Sequence, residues 1–182
     1  MGNGKFVRFP VLYTENLVLR QLLPGDDKQI FALRSDDRVN KYLDRKPSKS
    51  IADAKRFIAG INENSPNKDS FYWAIALKST NQLIGTICLF GISDDDQKAA
   101  IGFELLPDYQ GRGIMREAIS EILDFAQQEI GLIRIEACTA PENLASQRLL
   151  EKFNFKKQNT SGSKLWLFQW TVHHQGKRRL DT

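Results

Sequence analysis

A chain of 182 residues, 41% hydrophobic and 26% charged, has the composition of a soluble globular protein and is long enough for one domain with a substantial core. No apolar run approaches the ~18 residues needed to span a bilayer, and the N-terminal MGNGKFVRF lacks the apolar stretch of a secretory signal. The net charge of +4 comes without an aromatic-plus-basic stripe, so it reads as a solvated surface and no direct nucleic-acid binding is expected.

Met1-Gly2 hints at myristoylation, but Phe6 stands where that signal wants Ser or Thr. The two cysteines, Cys88 and Cys138, sit in apolar strand-like runs, form no CxxC, and lie far from His173 and His174. They are expected to be buried, reduced and dispensable for chemistry, and no metal site is expected. A cytoplasmic enzyme or binding domain is the class, with one domain over residues 8–174 and a basic tail over 175–182 that carries Lys177-Arg178-Arg179.

In chain order, Leu17 to Leu22 alternates apolar and polar as a strand does. Pro24-Gly25-Asp26-Asp27 starts a helix that is acidic in its first turn, with Ile30, Leu33, Val39 and Leu43 on its buried side. Asp44-Arg45-Lys46-Pro47 reads as an exposed loop. Ser48 or Ser50 caps a second helix carrying Ile51, Ala54, Phe57, Ile58 and Ile61. After a polar cluster with Pro66, Phe71 to Lys78 and Leu83 to Phe90 form a hairpin. Lys98 to Leu106 is the third strand of the meander.

That strand runs into Pro107-Asp108 and Gln110-Gly111-Arg112-Gly113. At Ile114 the period becomes helical: Ile114, Ala118, Ile119, Ile122, Leu123, Phe125 and Ala126 share one face, and Gly131 supplies the C-cap. A strand passing through a glycine turn into a helix aims free amides and the positive helix end at one spot, which suits a pyrophosphate or another anion. The spacing is neither the dinucleotide fingerprint nor the Walker pattern.

Leu132 to Thr139 alternates again, with Ile133, Ile135, Ala137 and Thr139 on one side. Pro141-Glu142-Asn143 opens the last helix, with Ala145, Leu149, Leu150 and Phe153 as its apolar positions. Phe155-Lys156-Lys157 and Leu165 to Val172 are strands. The order β-α-α-β-β-β-α-β-α-β-β predicts an α/β fold, a single domain built on a mixed sheet with helices on both faces.

Four pieces in this order resemble one family. Thr14-Glu15-Asn16-Leu17-Val18-Leu19-Arg20 is similar to an opening T-E-R-L-x-L-R. Gly102 to Gly113 is similar to a cofactor strand and loop, Pro141-Glu142-Asn143-Leu144-Ala145-Ser146 to a P-x-N-x-x-S signature, and Leu150-Glu151-Lys152-Phe153-Asn154-Phe155 to L-E-K-L-G-F. The chain resembles the GNAT N-acetyltransferases of the RimJ/RimL ribosomal-protein type. The departures are Asn16 for arginine, Met115 at the small-residue position of the loop, Asn154 for glycine, and Leu150 for a tyrosine thought to protonate the leaving thiolate. Asn154 tolerates left-handed angles, so its turn is expected to survive.

The resemblance implies a GNAT-like sheet and direct transfer of acetyl from acetyl-CoA to an amine, foremost a protein or peptide N-terminal α-amine. It implies cofactor binding by Leu105, Leu106, Gln110, Gly111, Arg112, Gly113, Ile114 and Met115, with Asn143 placing the pantetheine end. A backbone amide near Leu105 would face the thioester oxygen. Glu104 is the candidate general base, where burial would raise it toward that task, or else it lies on the polar side of an alternating strand. Asn143 and Ser146 project from one helix face. Ser146 would assist thiolate departure and Asn143 would act with it, or else Asn143 is simply an N-cap and Ser146 a surface residue. Arg112 contacts a CoA phosphate or is solvated. The alternatives for activity are a small-molecule acceptor (polyamine, amino sugar or antibiotic) or a non-catalytic acetyl-CoA-binding protein. The acceptor and the oligomeric state, a homodimer among the options, stay open.

Overall fold

The structure, a computed structural model, describes residues 9–64, 69–159 and 162–172. The expected tail, the histidine pair and Pro66 lie outside the described residues. The elements are β1 (Leu12–Tyr13), β2 (Leu17–Arg20), α1 (Asp27–Ser35), α2 (Asp37–Asn40), α3 (Ile51–Asn64), β3 (Ser70–Leu77), β4 (Leu83–Ser93), β5 (Lys98–Leu105), α4 (Ile114–Phe125), β6 (Arg134–Thr139), α5 (Leu144–Lys152), β7 (Lys156–Lys157) and β8 (Trp166–Thr171). Two are additions to the sequence reading. β1 is a two-residue edge strand. α2 exists because Asp36 leaves the helical region (ψ 122°), ends α1 and starts a new turn by accepting the Arg38 N–H at 2.8 Å. Val39 therefore sits on a separate helical turn and Leu43 in the loop beyond it, instead of extending α1.

The eight strands form one sheet in the order β1-β2-β3-β4-β5-β6-β8-β7. Every neighbour is antiparallel except β5 and β6. That parallel pairing joins only Lys98–Ala100 to Arg134–Glu136, whereas β5 stays paired with β4 as far as Leu105. Past Ala100 the two parallel strands part, and the end of β5 opens onto a gap.

Side chains alternate across the sheet and bury both faces. Phe71, Trp73 and Ile75 of β3 pack with Ile119, Ile122 and Phe125 of α4. The Trp73 and Phe125 rings meet edge to face with centroids 5.6 Å apart, an arrangement worth ~0.5–1.5 kcal/mol beyond the area it buries. Ala74 and Tyr72 turn the other way, toward Leu22 and toward Ile30 of α1 and Ala54 and Ile58 of α3. Helices thus cover both faces.

At Gly85 the strands approach so closely that an added Cβ would stand 2.4 Å from the Glu104 carbonyl oxygen, so only glycine fits beside the register shift at Ile75/Ala76. Arg20, the last residue of the opening motif, is buried and pairs with Asp26 at 2.8 and 3.0 Å while its Nε donates to Asn81 Oδ1.

The expected burial of the two cysteines does not hold for both. Cys88 is half-buried, and burial pushes its thiol up to about 12. Cys138, however, is exposed. Ile135, Ala137 and Thr139 take the core-facing phase of β6, which leaves Cys138 on the opposite side. Ile133, expected in line with them, lies before β6 begins and is exposed.

Candidate functional site

The glycine loop folds as its residue types require. Gly111 and Gly113 adopt φ of 74° and 80°, the left-handed region that glycine enters without strain, and open space lies where a Cβ would stand on either. Gly113 is the N-cap of α4, and its carbonyl accepts the Glu117 N–H at 3.0 Å. The amides of Ile114, Met115 and Arg116 therefore precede the helical ladder and point out of its positive end. Met115, which departs from the family pattern, buries its side chain in the core and does not cover those amides.

Gln110 turns its amide back and donates to Leu105 O at 2.9 Å, pinning the loop to the end of β5. Leu106 N–H donates to Ile84 O at 2.9 Å, so its amide faces β4. By the alternation of an antiparallel ladder, the Phe103 and Leu105 amides face the opposite way, into the gap beside β6. Arg112 is exposed, with its guanidinium 5.7 Å from the centre of the Tyr109 ring.

The first turn of α4 is also anchored from the other end of the chain. Glu117 accepts from the Thr14 hydroxyl, from Asn16 N–H at 2.8 Å and from Asn16 Nδ2 at 3.1 Å. Burial would raise the Glu117 carboxyl, but these donors outweigh it and hold it below the usual range. The opening T-E-N motif thus has a mechanical explanation, which includes the departure at Asn16.

Across the gap, Asn143 caps α5 by accepting from Ser146 N–H at 3.2 Å. Gln147, which the sequence reading did not single out, is buried and donates to Ala140 O at 3.1 Å and Pro141 O at 2.8 Å, clamping the turn between β6 and α5. Its place directly after the signature, four residues beyond Asn143 and so on the same helix face, is the signal that could have shown it. Leu150 is 1% exposed and belongs to the core. Asn154 has φ 62°, so it makes the left-handed turn expected of it.

Glu104 lies on the face of β5 that α1 and α3 cover, level with Thr86, whose hydroxyl accepts from Tyr72 at 3.0 Å. Its two oxygens accept from Arg45 Nη1 at 2.7 Å and Nη2 at 2.5 Å. The two side chains are 18% and 13% exposed, so the expected loop exposure of Arg45 is corrected: it is folded inward onto β5. Arg45 Nε in turn donates to Asn40 Oδ1 at 2.8 Å, and Asn40 Nδ2 donates to the Arg34 and Asp36 carbonyls at 2.9 Å each. Arg34 stacks 3.9 Å over Phe57; burial lowers it, Arg45 adds to the lowering, and Glu104 opposes both.

These elements enclose a cleft of about 510 Å³ whose lining includes Glu104, Leu105, Gln110, Gly111, Gly113, Ile114, Met115, Asn143 and Ser146. Leu106 and Arg112 are not part of that lining. The N-terminal half of the chain contributes Arg38, Val39, Tyr42 and Leu43 to it. Among the described residues that line it, Glu104 is the one carboxylate, beside Arg38, Arg116, Arg148 and Lys152. Outward-facing amides, positive-φ glycines with space in front of them and a cationic wall suit the phosphates of CoA. Among the described residues no cluster of His, Cys, Asp and Glu could hold a metal ion, and no helix is long and apolar enough to cross a membrane.

Comparison with known proteins agrees with this geometry. The acetyltransferase (GNAT) domain family matches residues 16–156. The chain is 35% identical over 150 residues to the uncharacterized N-acetyltransferase YoaA of Bacillus subtilis, a match spanning 82% of this chain and 85% of that one. It is 33% identical over 147 residues to the uncharacterized N-acetyltransferase p20 of Bacillus licheniformis, spanning 81% and 83%. In fold it is similar to RimL, the ribosomal L7/L12 α-N-protein acetyltransferase solved with coenzyme A, with a TM-score of 0.78 at 15% identity over 90% of this chain and 98% of that one. The protein is an acyltransferase and belongs to the GNAT N-acetyltransferase family.

Proposed function

We propose that the protein moves an acetyl group from acetyl-CoA to the α-amine at the N-terminus of a peptide or protein. One observation carries this reading: a single cleft brings together the amides at the start of α4, the gap-facing amide of Leu105, Ser146 at the start of α5 and the carboxylate of Glu104. The cleft is not an acidic pocket. A polyamine or aminoglycoside would meet one carboxylate, already paired, and a cationic wall. A peptide end presents a single amine. The fold of RimL, whose acceptor is a protein α-amine by its name, supports the same choice.

In this reading the α4 amides with Gln110, Gly111 and Gly113 hold the CoA phosphates, and Asn143 places the pantetheine end. The acceptor nitrogen must be neutral to attack, and an α-amine with pKa about 7.7–8.0 reaches that form far more readily than a lysine at about 10.4. A carbon–nitrogen bond forms at the thioester carbon, the carbon–sulfur bond breaks, the amine proton passes to Glu104 directly or through water, and the thiolate takes a proton. Leu105 N–H faces the oxygen that gains charge. Leu150 cannot donate a proton, so the Ser146 hydroxyl or water does. A panel of N-terminal peptides, polyamines and aminoglycosides tests the assignment. The expected result is acetylation of peptide α-amines with the highest kcat/KM, and a preference for a polyamine or aminoglycoside would replace it with the small-molecule reading.

A further inference from the structure

Arg45 is the residue of this site that no local pattern announces, and its contacts point two ways at once. Through Nη1 and Nη2 it holds both Glu104 oxygens, and through Nε it holds Asn40, the last residue of α2. Asn40 is fixed by the Arg34 and Asp36 carbonyls, so the guanidinium stands on a rigid base at the end of α1. The loop it belongs to is tied back to α1 at its far end, where Ser48 N–H donates to Arg34 O at 3.0 Å. Tyr42 and Leu43, which line the cleft, lie between Asn40 and Arg45. One side chain therefore joins the strand that carries the carboxylate to the segment that walls the acceptor side.

We propose that Arg45 is a positioning residue for acetyl transfer, acting through Glu104. The inference rests on the proposed acyl transfer to an amine. A carboxylate has about four lone-pair sites, and a planar guanidinium fork occupies one on each oxygen. The carboxyl plane is thereby fixed, and each oxygen keeps a site for the N–H of an arriving amine. Glu104 can meet the acceptor without releasing Arg45, in an orientation that the fork dictates and that a lysine, as a point charge, would not reproduce.

The test is a double-mutant cycle on amine-dependent thiol release, with Arg45→Ala, Arg45→Lys, Glu104→Gln and the two doubles, each checked by thermal melting and CoA calorimetry. Misplacing a reacting group lowers the rate steeply, so Arg45→Ala should lose about tenfold or more in kcat/KM for the amine while KM for acetyl-CoA stays unchanged. Arg45→Lys should recover only part of that loss. Low, non-denaturing guanidinium should restore activity to the alanine variant. In the Glu104→Gln background, removing Arg45 should change kcat/KM by no more than about twofold, because residues that act as a unit are not additive. Full additivity, or equal activity of Arg45→Ala and wild type, would overturn the proposal while leaving the transferase reading intact. Wild-type protein that binds CoA but acetylates no amine would overturn the transferase reading itself, and this inference with it.

Discussion

Glu104 accepts from Arg45 on both oxygens, so it is an oriented acceptor and not a free carboxylate in an apolar pocket. Proton transfer by a positioned side chain typically contributes ~10²–10⁴-fold, and Glu104→Gln should lower kcat/KM at pH 7 by at least ~100-fold. The loss should shrink at high pH, where the acceptor amine is already neutral. Full activity across the pH range would assign the proton to bulk water and leave Glu104 as the anchor of Arg45. Ser146→Ala should lose less, since water can protonate a leaving group as acidic as a thiol, and both variants should keep their CoA affinity. At this scale the sequence revealed the carboxylate but not its partner. Glu104 interrupts an apolar strand beside the loop, which is a local signal. Arg45 sits in a run of charges before Pro47, 59 positions away, and nothing local distinguishes it from a solvated loop residue. The exposure of Cys138, by contrast, follows from the alternation itself: Cys138 shares the phase of Arg134 and Glu136, opposite Ile135, Ala137 and Thr139, so the expected burial rested on the residue type and not on the period.

The elements were the most legible part of the chain. Positive-φ turns at Gly111, Gly113 and Gly131 mark the ends of α4 and of the π turn that continues it, and Asn154 makes its left-handed turn as expected. The boundary at Asp36 was not legible, because the apolar period continues through it to Val39 and only the aspartate's backbone angles interrupt the helix. The gap between β5 and β6 was invisible as well, since strand divergence is a property of pairing and not of either sequence. Beside that gap, Gly85 of β4 lets β4 and the end of β5 approach at close range. Gly85→Ala forces a Cβ against the Glu104 backbone, and overpacking of this kind costs ~1–3 kcal/mol. A lower urea midpoint at unchanged slope is expected, together with reduced turnover, because the displaced atoms belong to Glu104 and Leu105. An unchanged midpoint would mean that β4 and β5 separate freely there.

For the whole molecule, two polar anchors hold the sheet and helices in register, one between near neighbours in the chain and one between residues about a hundred positions apart. Arg20 and Asp26 are both buried, and removing one partner of such a pair typically costs ~3–5 kcal/mol, so Asp26→Ala should lower the thermal midpoint sharply and Asp27→Ala far less. The second anchor titrates. The Glu117 carboxyl lies below its ordinary value of 4.5 in the folded protein, so folding favours its charged form. Its contribution is present above the unfolded value and is lost as pH falls through the folded one. Glu117→Gln should accordingly be less stable than wild type near neutrality, and the difference should narrow below about pH 4.5, as denaturant titrations at several pH values would show. A constant difference over that range would place the effect in shape and not in charge.

The claim on which the rest depends is that acetyl-CoA sits at the start of α4 while the amine is served from Glu104. The most direct measurement is the initial rate of amine-dependent thiol release from acetyl-CoA for wild type and Gly113→Asp, with both substrates varied. Gly113 has φ 80° and open space before it, so the aspartate strains the turn and sets a negative charge where phosphate would lie. The expected result is saturable, amine-dependent release by wild type, and in the folded variant a KM for acetyl-CoA raised by about tenfold or more, ~1.4 kcal/mol, with KM for the amine little changed. Equal KM for acetyl-CoA in the two proteins would contradict it and move the cofactor away from this loop.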